Sequence, residues 1–265
     1  MLYCKQLIAC CAAMVMWTGC SNDTQLEETQ VGEQVQIRVA PLTRLAMTDF
    51  VEGDAIGIFA VERSNPQVAA IPSVAPGRAN NAKWVKNAEG EWEPATVADR
   101  ITWSQIGTPM DFYAYFPYDA KITNPAAIGL NLSEQTTASD VLRAANTQGL
   151  NKGEVTLAFN HVLARLDVRV TSMVAGDVLR VKGVRTAASF NIGTGEVEAT
   201  GEPATLLLSY EGQSADDKAW FQAFLPAQTF SGQVQCEHNG ASYLFNFSDL
   251  TLEKGQVKWV DLKLK

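Results

Sequence analysis

Histidine is nearly absent: only His161 and His238 occur among 265 residues. This scarcity removes the usual general base and the commonest metal ligand from almost the whole chain. His161 falls in an expected strand, where a hydrogen-bonded structural role is expected, and His238 belongs to an expected turn. Cysteine is scarce where it would matter. Cys4, Cys10, Cys11 and Cys20 crowd into the first twenty positions, leaving Cys236 as the one thiol beyond them. An intramolecular disulfide or a cysteine-built metal site in the body is thereby excluded. Positive charge is in deficit, with 21 Lys and Arg against 29 Asp and Glu and a net charge of −8. An acidic surface repels phosphate backbones and anionic headgroups, so neither nucleic acid nor a charged membrane surface is an expected partner. Long apolar runs are missing too. The run at residues 7–17 is shorter than the ~20 residues needed to cross a bilayer.

Catalytic patterns are equally thin. Gly193 and Gly195 begin a Gly-x-Gly pattern, but Glu198 stands where a dinucleotide site would need glycine. The Asp216-Asp217 pair reads as a solvated loop rather than a Ca²⁺ site. A glycosidase carboxylate pair leaves no local signature, because its members can lie far apart along the chain. The expectation is a protein that is not an enzyme and needs no cofactor or metal.

What the sequence does have begins at its N-terminus. Lys5 precedes the apolar run, which ends in Trp17-Thr18-Gly19-Cys20. That ending resembles the lipobox cleaved before a lipid-bearing cysteine, with Trp17 standing where leucine is usual. Residues 1–19 are therefore expected to be a lipoprotein signal peptide, with Cys20 as the lipidated residue. Removing them takes away Lys5 alone, leaving 20 cations against 29 acids and a net charge of −9. Residues 20–32 are polar and read as a tether.

Beyond the tether the pattern has period two. Val35, Ile37 and Val39 alternate with Gln34, Gln36 and Arg38, giving a strand with one apolar face that Pro41 ends. Short β-rich runs follow at 55–61, 82–85, 100–104 and 110–116, separated by Gly, Pro and Asn. Asn87 to Gly90 reads as a turn between Trp84 and Trp92. Residues 133–151 read as a polar, alanine-rich loop with a short helical possibility at 140–145. After them, 155–170 reads as one long strand, followed by runs at 178–184, 205–210, 219–225, 234–237, 242–247 and 256–265. Asn239-Gly240 and Gly193-Thr194-Gly195 are turn signals. The fold expected is all-β, as two β-sandwiches at 33–153 and 154–265. Val257 and Trp259 share one parity and Val260, Leu262 and Leu264 the other. This predicts either a β-bulge near Trp259 or a last strand that packs on both faces.

Several segments in order resemble the fimbrillin (Mfa-like) family of Bacteroidota, which builds type V pili. They are Thr43-Arg44 before Phe50, Gly53-Asp54-Ala55-Ile56-Gly57-Ile58-Phe59-Ala60, Ile101-Thr102-Trp103-Ser104, and Phe112-Tyr113-Ala114-Tyr115-Phe116-Pro117-Tyr118. Then come Leu157-Ala158-Phe159-Asn160-His161-Val162-Leu163-Ala164-Arg165-Leu166 and Leu225-Pro226-Ala227-Gln228. The resemblance implies two transthyretin-like domains and assembly by strand exchange after an arginine-specific protease removes the first strand. On this chain that strand is Val35, Ile37 and Val39, and the cleavage would follow Arg44. Ser21-Asn22-Asp23 resembles the signal that sends lipoproteins of this phylum to the outer leaflet, implying a surface lipoprotein of the outer membrane. The implied partners are other fimbrial subunits, the outer membrane through the N-terminal lipid, and host or bacterial surface ligands. The last strand is expected to stay folded in, with no spare donor segment, so a tip, anchor or accessory subunit is expected over a stalk subunit. The competing reading is a monomeric glycan-binding surface lipoprotein, which would need Trp84, Trp92 or Trp103 exposed to stack on sugars.

Overall fold

The computed structural model describes residues 32–41, 49–75, 77–136, 139–214 and 216–264. The signal peptide, Cys20 and Arg44 lie outside them. The all-β expectation holds: among the described residues the only helical element is a 3-10 turn at Val97–Asp99. No described helix is long and apolar enough to cross a membrane.

The first half is built on a six-stranded antiparallel sheet. Its order is β4 (Trp92–Pro94), β3 (Ala79–Lys86), β2 (Ala55–Glu62), β5 (Met110–Phe116), β7 (Leu142–Leu150) and β9 (Asn160–His161). The central strands are apolar on both faces, as burial on two sides requires. One face carries Ile56, Ile58, Trp84, Phe112 and Leu142 and packs against a two-stranded parallel ribbon of β1 (Gln36–Val39) and β8 (Glu154–Leu157). The opposite face carries Phe59, Tyr113 and Tyr115. It packs on a three-stranded sheet ordered β13 (Val197–Thr200), β12 (Ala187–Phe190) and β6 (Ile128–Asn131), which supplies Ile128 and Phe190.

The second half encloses one core between two four-stranded sheets. One runs β15 (Ser209–Gln213), β16 (Lys218–Leu225), β10 (Ala164–Thr171), β19 (Val257–Lys263), the other β14 (Ala204–Leu207), β11 (Val178–Val184), β17 (Gln228–His238), β18 (Ala241–Leu252). Leu166, Val168 and Val170 alternate inward from β10 to meet Leu179, Val181 and Val234. The hairpin at Asn239-Gly240 is as the sequence predicts. Positive φ angles of 49° and 76° let His238 pair directly with Ala241.

Two expectations change, and the two alternatives left open for the last strand are decided. The stretch at 133–151 is not mainly loop, because residues 142–150 form β7 inside the six-stranded sheet, with Leu142, Ala144 and Asn146 turned inward. Alanine is a poor strand former by itself, but pairing along β5 and burial of the inward side chains override propensity. The single strand at 155–170 is three strands: the chain leaves β8 for β9 and then β10, joining a different sheet each time. Residues 154–161 therefore pair with strands of the first half, through β1 and β7, and not with the second half. Finally, β19 has no bulge. It runs in unbroken parallel register with β10 from Arg165↔Val257 to Thr171↔Lys263. The double parity is two-sided packing, the other of the two alternatives. Val260 and Leu262 face the core, while Trp259 packs on Trp220 and under the Arg169 guanidinium.

Candidate functional site

The first strand and its surroundings form the site. Val35 and Ile37 are buried and Val39 is half-buried, against Trp84, Val155, Leu157 and their neighbours. Gln36 pairs with Glu154 and Val39 with Leu157, and this parallel ladder is the only one β1 makes among the described residues. Its ends are held separately. The Ala40 N–H donates to Leu157 O, the Val35 N–H donates to Ile101 O, and Glu33 O accepts from the Trp103 N–H.

These bonds fix which way each backbone group points, because successive residues of a strand alternate between its two neighbours. Even-numbered residues, like Ala40, turn toward β8. Odd-numbered ones, like Glu33 and Val35, turn toward residues 101–103. Further along, the chain from Thr96 to Arg100 coils into the 3-10 turn, so no strand continues opposite Ile37 and Val39. A groove of about 540 Å³ opens there, lined by β1 on one side and by Glu91, Trp92, Glu93 and Pro94 on the other, with Glu154 at its rim. Phe50 closes in edge-on contact with Trp92, Phe116 and Phe159, at centroid distances of 5.2 to 5.3 Å.

The tryptophans of the glycan-binding reading are not available to stack on a sugar. Trp84, Trp92 and Trp103 are 1%, 8% and 4% exposed and belong to the core under β1. The chemical candidates are structural in their surroundings. His161 Nδ1 lies 2.9 Å from Asp140 Oδ1 in a buried pair, and His238 Nδ1 lies 2.7 Å from Asp177 Oδ2, tying the hairpin tip to the turn at 174–177. Asp216 pairs with Lys218 at 2.7 Å, and that ammonium holds the carboxyl down at about 2. Among the described residues no three His, Cys, Asp or Glu side chains gather to hold a metal ion. Burial pushes the Cys236 thiol up to about 12, so it is held as the unreactive neutral form.

Sequence reasoning located the strand by its alternation but missed the groove. The parallel partner β8 and the opposite wall β4 are far away in sequence, and neither a short strand nor a proline at an edge announces what it faces.

The comparisons with known proteins agree with this architecture. Residues 43–265 match the model of the fimbrillin-like family. Among solved structures, a Bacteroides uniformis protein proposed to act in cell adhesion superposes with a TM-score of 0.67 at 20% identity, over 89% of this chain and 94% of that one. A similarly described Bacteroides ovatus protein gives 0.67 at 16% identity, over 88% and 91%. One from Bacteroides fragilis gives 0.52 at 11%, over 88% and 93%. No curated protein matches the sequence. At these identities the superpositions establish the fold, whereas the family match spans most of the sequence. The chain therefore belongs to the fimbrillin-like family, as a non-enzymatic fimbrial or adhesive subunit of the cell surface.

Proposed function

We propose that this subunit is anchored to the outer membrane through a lipid on Cys20 and joins other fimbrial subunits by exchanging β1, as an acceptor or anchor and not as a repeating stalk unit. The observation that carries this reading is the single parallel ladder by which β1 is held. Losing β1 would leave the β8 edge without its partner and uncover the apolar side chains beneath, and a replacement strand would satisfy both. Arg44 follows Pro41 between β1 and Phe50, so a cut there would free β1. Arg38 is a poorer target because it lies within the ladder, level with Thr156. At the other end β19 pairs with β10 along seven consecutive residues, and donating it would require breaking that ladder.

The test is arginine-specific proteolysis of the purified mature chain. Cutting after Arg44 is expected to lower the melting temperature, and a peptide repeating residues 33–40 is expected to restore it. A cut subunit as stable as the intact one would overturn the exchange reading. Lipidation is tested apart: Cys20→Ala should release the protein from membranes without changing its melting temperature, and continued membrane association would refute it.

A further inference from the structure

We infer that the open edge of β18 is a self-association surface, on which a second copy of this chain pairs antiparallel, β18 to β18, and joins two four-stranded sheets into one. The edge is long and unguarded. Edge strands are usually blunted by shortness, bulges or charge. The second half shows each device elsewhere: β14 has four residues, β15 carries Glu211 and a bulge between Tyr210 and Gly212, and β19 carries Lys258, Asp261 and Lys263. β18 has 12 residues, and from Ala241 to Ser248 none is charged or proline, in a chain whose net charge is −8.

The hairpin fixes which groups face this edge. Its two-residue turn makes His238 and Ala241 a hydrogen-bonded pair, so the odd-numbered residues from 241 to 247 bond to β17. The N–H and C=O groups of Ser242, Leu244 and Asn246 are directed away from β17, and among the described residues no strand lies beyond them. On the inner face Tyr243, Phe245 and Phe247 are only half-buried against the core. Beside Phe245 and Phe247 an apolar cleft of about 80 Å³, lined also by Val260 and Leu262, opens between β18 and β19. On the outer face Leu244 is 56% exposed.

A second copy is the occupant these residues select. Antiparallel pairing centred on Leu244 sets it opposite the partner's Leu244, and Ser242 opposite the partner's Asn246, reciprocally, as a two-fold interface requires. Apolar meets apolar at the centre, and Tyr243 falls level with the partner's Phe245. Asn246 Oδ1 already accepts from Gln233, which leaves its Nδ2 to donate to the partner's Ser242. The first charge along β18, Asp249, falls level with the partner's Asn239 and not with a like charge. An acidic chain can therefore meet itself here without repulsion. Each copy uses one edge only, in the plane of its own sheet. The surface lies in the second half of the chain and stands whether or not β1 is exchangeable.

The test uses the mature chain carrying Cys20→Ala, so that neither a lipid nor a second thiol intervenes. Its mass in sedimentation is expected to rise from monomer to dimer with concentration. Amide exchange at Ser242, Leu244 and Asn246 should slow in the dimer by about tenfold, the size of one hydrogen bond. Leu244→Lys sets two cations opposite each other and should raise the dimer dissociation constant by about tenfold or more, while the dilute monomer keeps its melting temperature. Leu207→Lys changes a similarly exposed leucine on the opposite edge of the same sheet and should leave the dimer intact. Bonded antiparallel partners lie ~5.5 Å apart at Cα, within disulfide range, so Leu244→Cys should cross-link to its own copy under mild oxidation faster than Leu207→Cys. A chain that stays monomeric at every concentration, a dimer untouched by Leu244→Lys, or a Leu244→Cys variant that cross-links no faster than Leu207→Cys would overturn the inference. Slowed exchange at Ser242, Leu244 and Asn246 only in cell extract, with the pure chain monomeric, would assign the edge to another protein and overturn it too.

Discussion

Ile37 lies level with Val155 across the parallel ladder of β1 and β8, and both side chains are buried against the six-stranded sheet. The pair ties the N-terminal strand to the core by apolar contact, because the ladder itself is only four residues long. Ile37→Ala is expected to cost about 2 to 3 kcal/mol, the low end for a buried isoleucine because a short ribbon can settle into the space. Gln36→Ala, an exposed neighbour in the same strand, should stay within about 0.5 kcal/mol. Urea unfolding of the two variants checks the contrast.

Asp111 is fully buried and its carboxylate accepts four bonds. Two come from Arg63 at 2.8 and 2.9 Å, one from the Ala70 N–H and one from the Gly149 N–H. Arg63 also donates to Pro66 O and Thr147 O. One ion pair thus pins the segment between β2 and β3 and the end of β7 to the start of β5. Asp111 helps hold the guanidinium of Arg63 above its ordinary range. Arg63→Ala would leave a buried carboxylate without its cation and is expected to cost about 3 to 5 kcal/mol. Proteolysis between Asn65 and Ala75 should speed up in the same variant, while Arg38→Ala, whose pair with Glu154 is exposed, should show neither effect.

Cys236 gives a pH prediction with a definite sign. Burial raises the folded thiol to about 12, whereas an unfolded cysteine ionises near ~8.5. The folded state therefore binds the proton more tightly. Its contribution to stability is complete below the unfolded value and is lost as pH rises toward the folded one. Denaturant midpoints should fall above about pH 8.5 in the wild type and fall less in Cys236→Ala. A thiol reagent at pH 8 should label Cys236 only at the rate of unfolding.

These features differ in how far they could be read beforehand. Alternation marked β1 and much of the second half, since Val35, Ile37 and Val39, like Leu166, Val168 and Val170, bury one parity. It failed for β7, where alanines at 144 and 145 carry little hydrophobic contrast, and for 155–170, where a continuous apolar run hides two changes of sheet. Trp84 and Trp92 were legible as a hairpin pair, yet their burial depends on β1 and β8 lying over them. Partners that meet only through tertiary pairing, such as β1 with β8 or Arg63 with Asp111, leave no local trace. The same holds for side chains that stand in for backbone.

Gln135 is one of these. The ladder of β15 on β16 begins at Ser209↔Gln222, so Phe224 lies beyond it, and the side-chain amide of Gln135 takes the place of a further paired residue. Its Oε1 accepts from the Phe224 N–H at 2.7 Å, and its Nε2 donates to Phe224 O at 3.2 Å and to Leu132 O at 2.7 Å. Phe224 is itself buried with Tyr113, Phe190 and Leu163, so the amide joins the edge of β16 to the loop after β6 beside a shared core. Gln135→Ala would leave a buried donor and acceptor unmet, at an expected cost of about 1 to 3 kcal/mol. Gln135→Glu keeps the acceptor but turns a second oxygen toward two carbonyls. Its carboxyl should bind a proton more tightly folded than unfolded, so this variant should gain stability as pH falls through the ordinary carboxylate range, opposite to the trend of a salt-bridged acid. Urea midpoints at pH 7 and pH 4 for wild type and both variants decide it. A Gln135→Ala midpoint equal to wild type, or a Gln135→Glu variant that weakens on acidification more than wild type, would show that the amide is not acting in place of a strand.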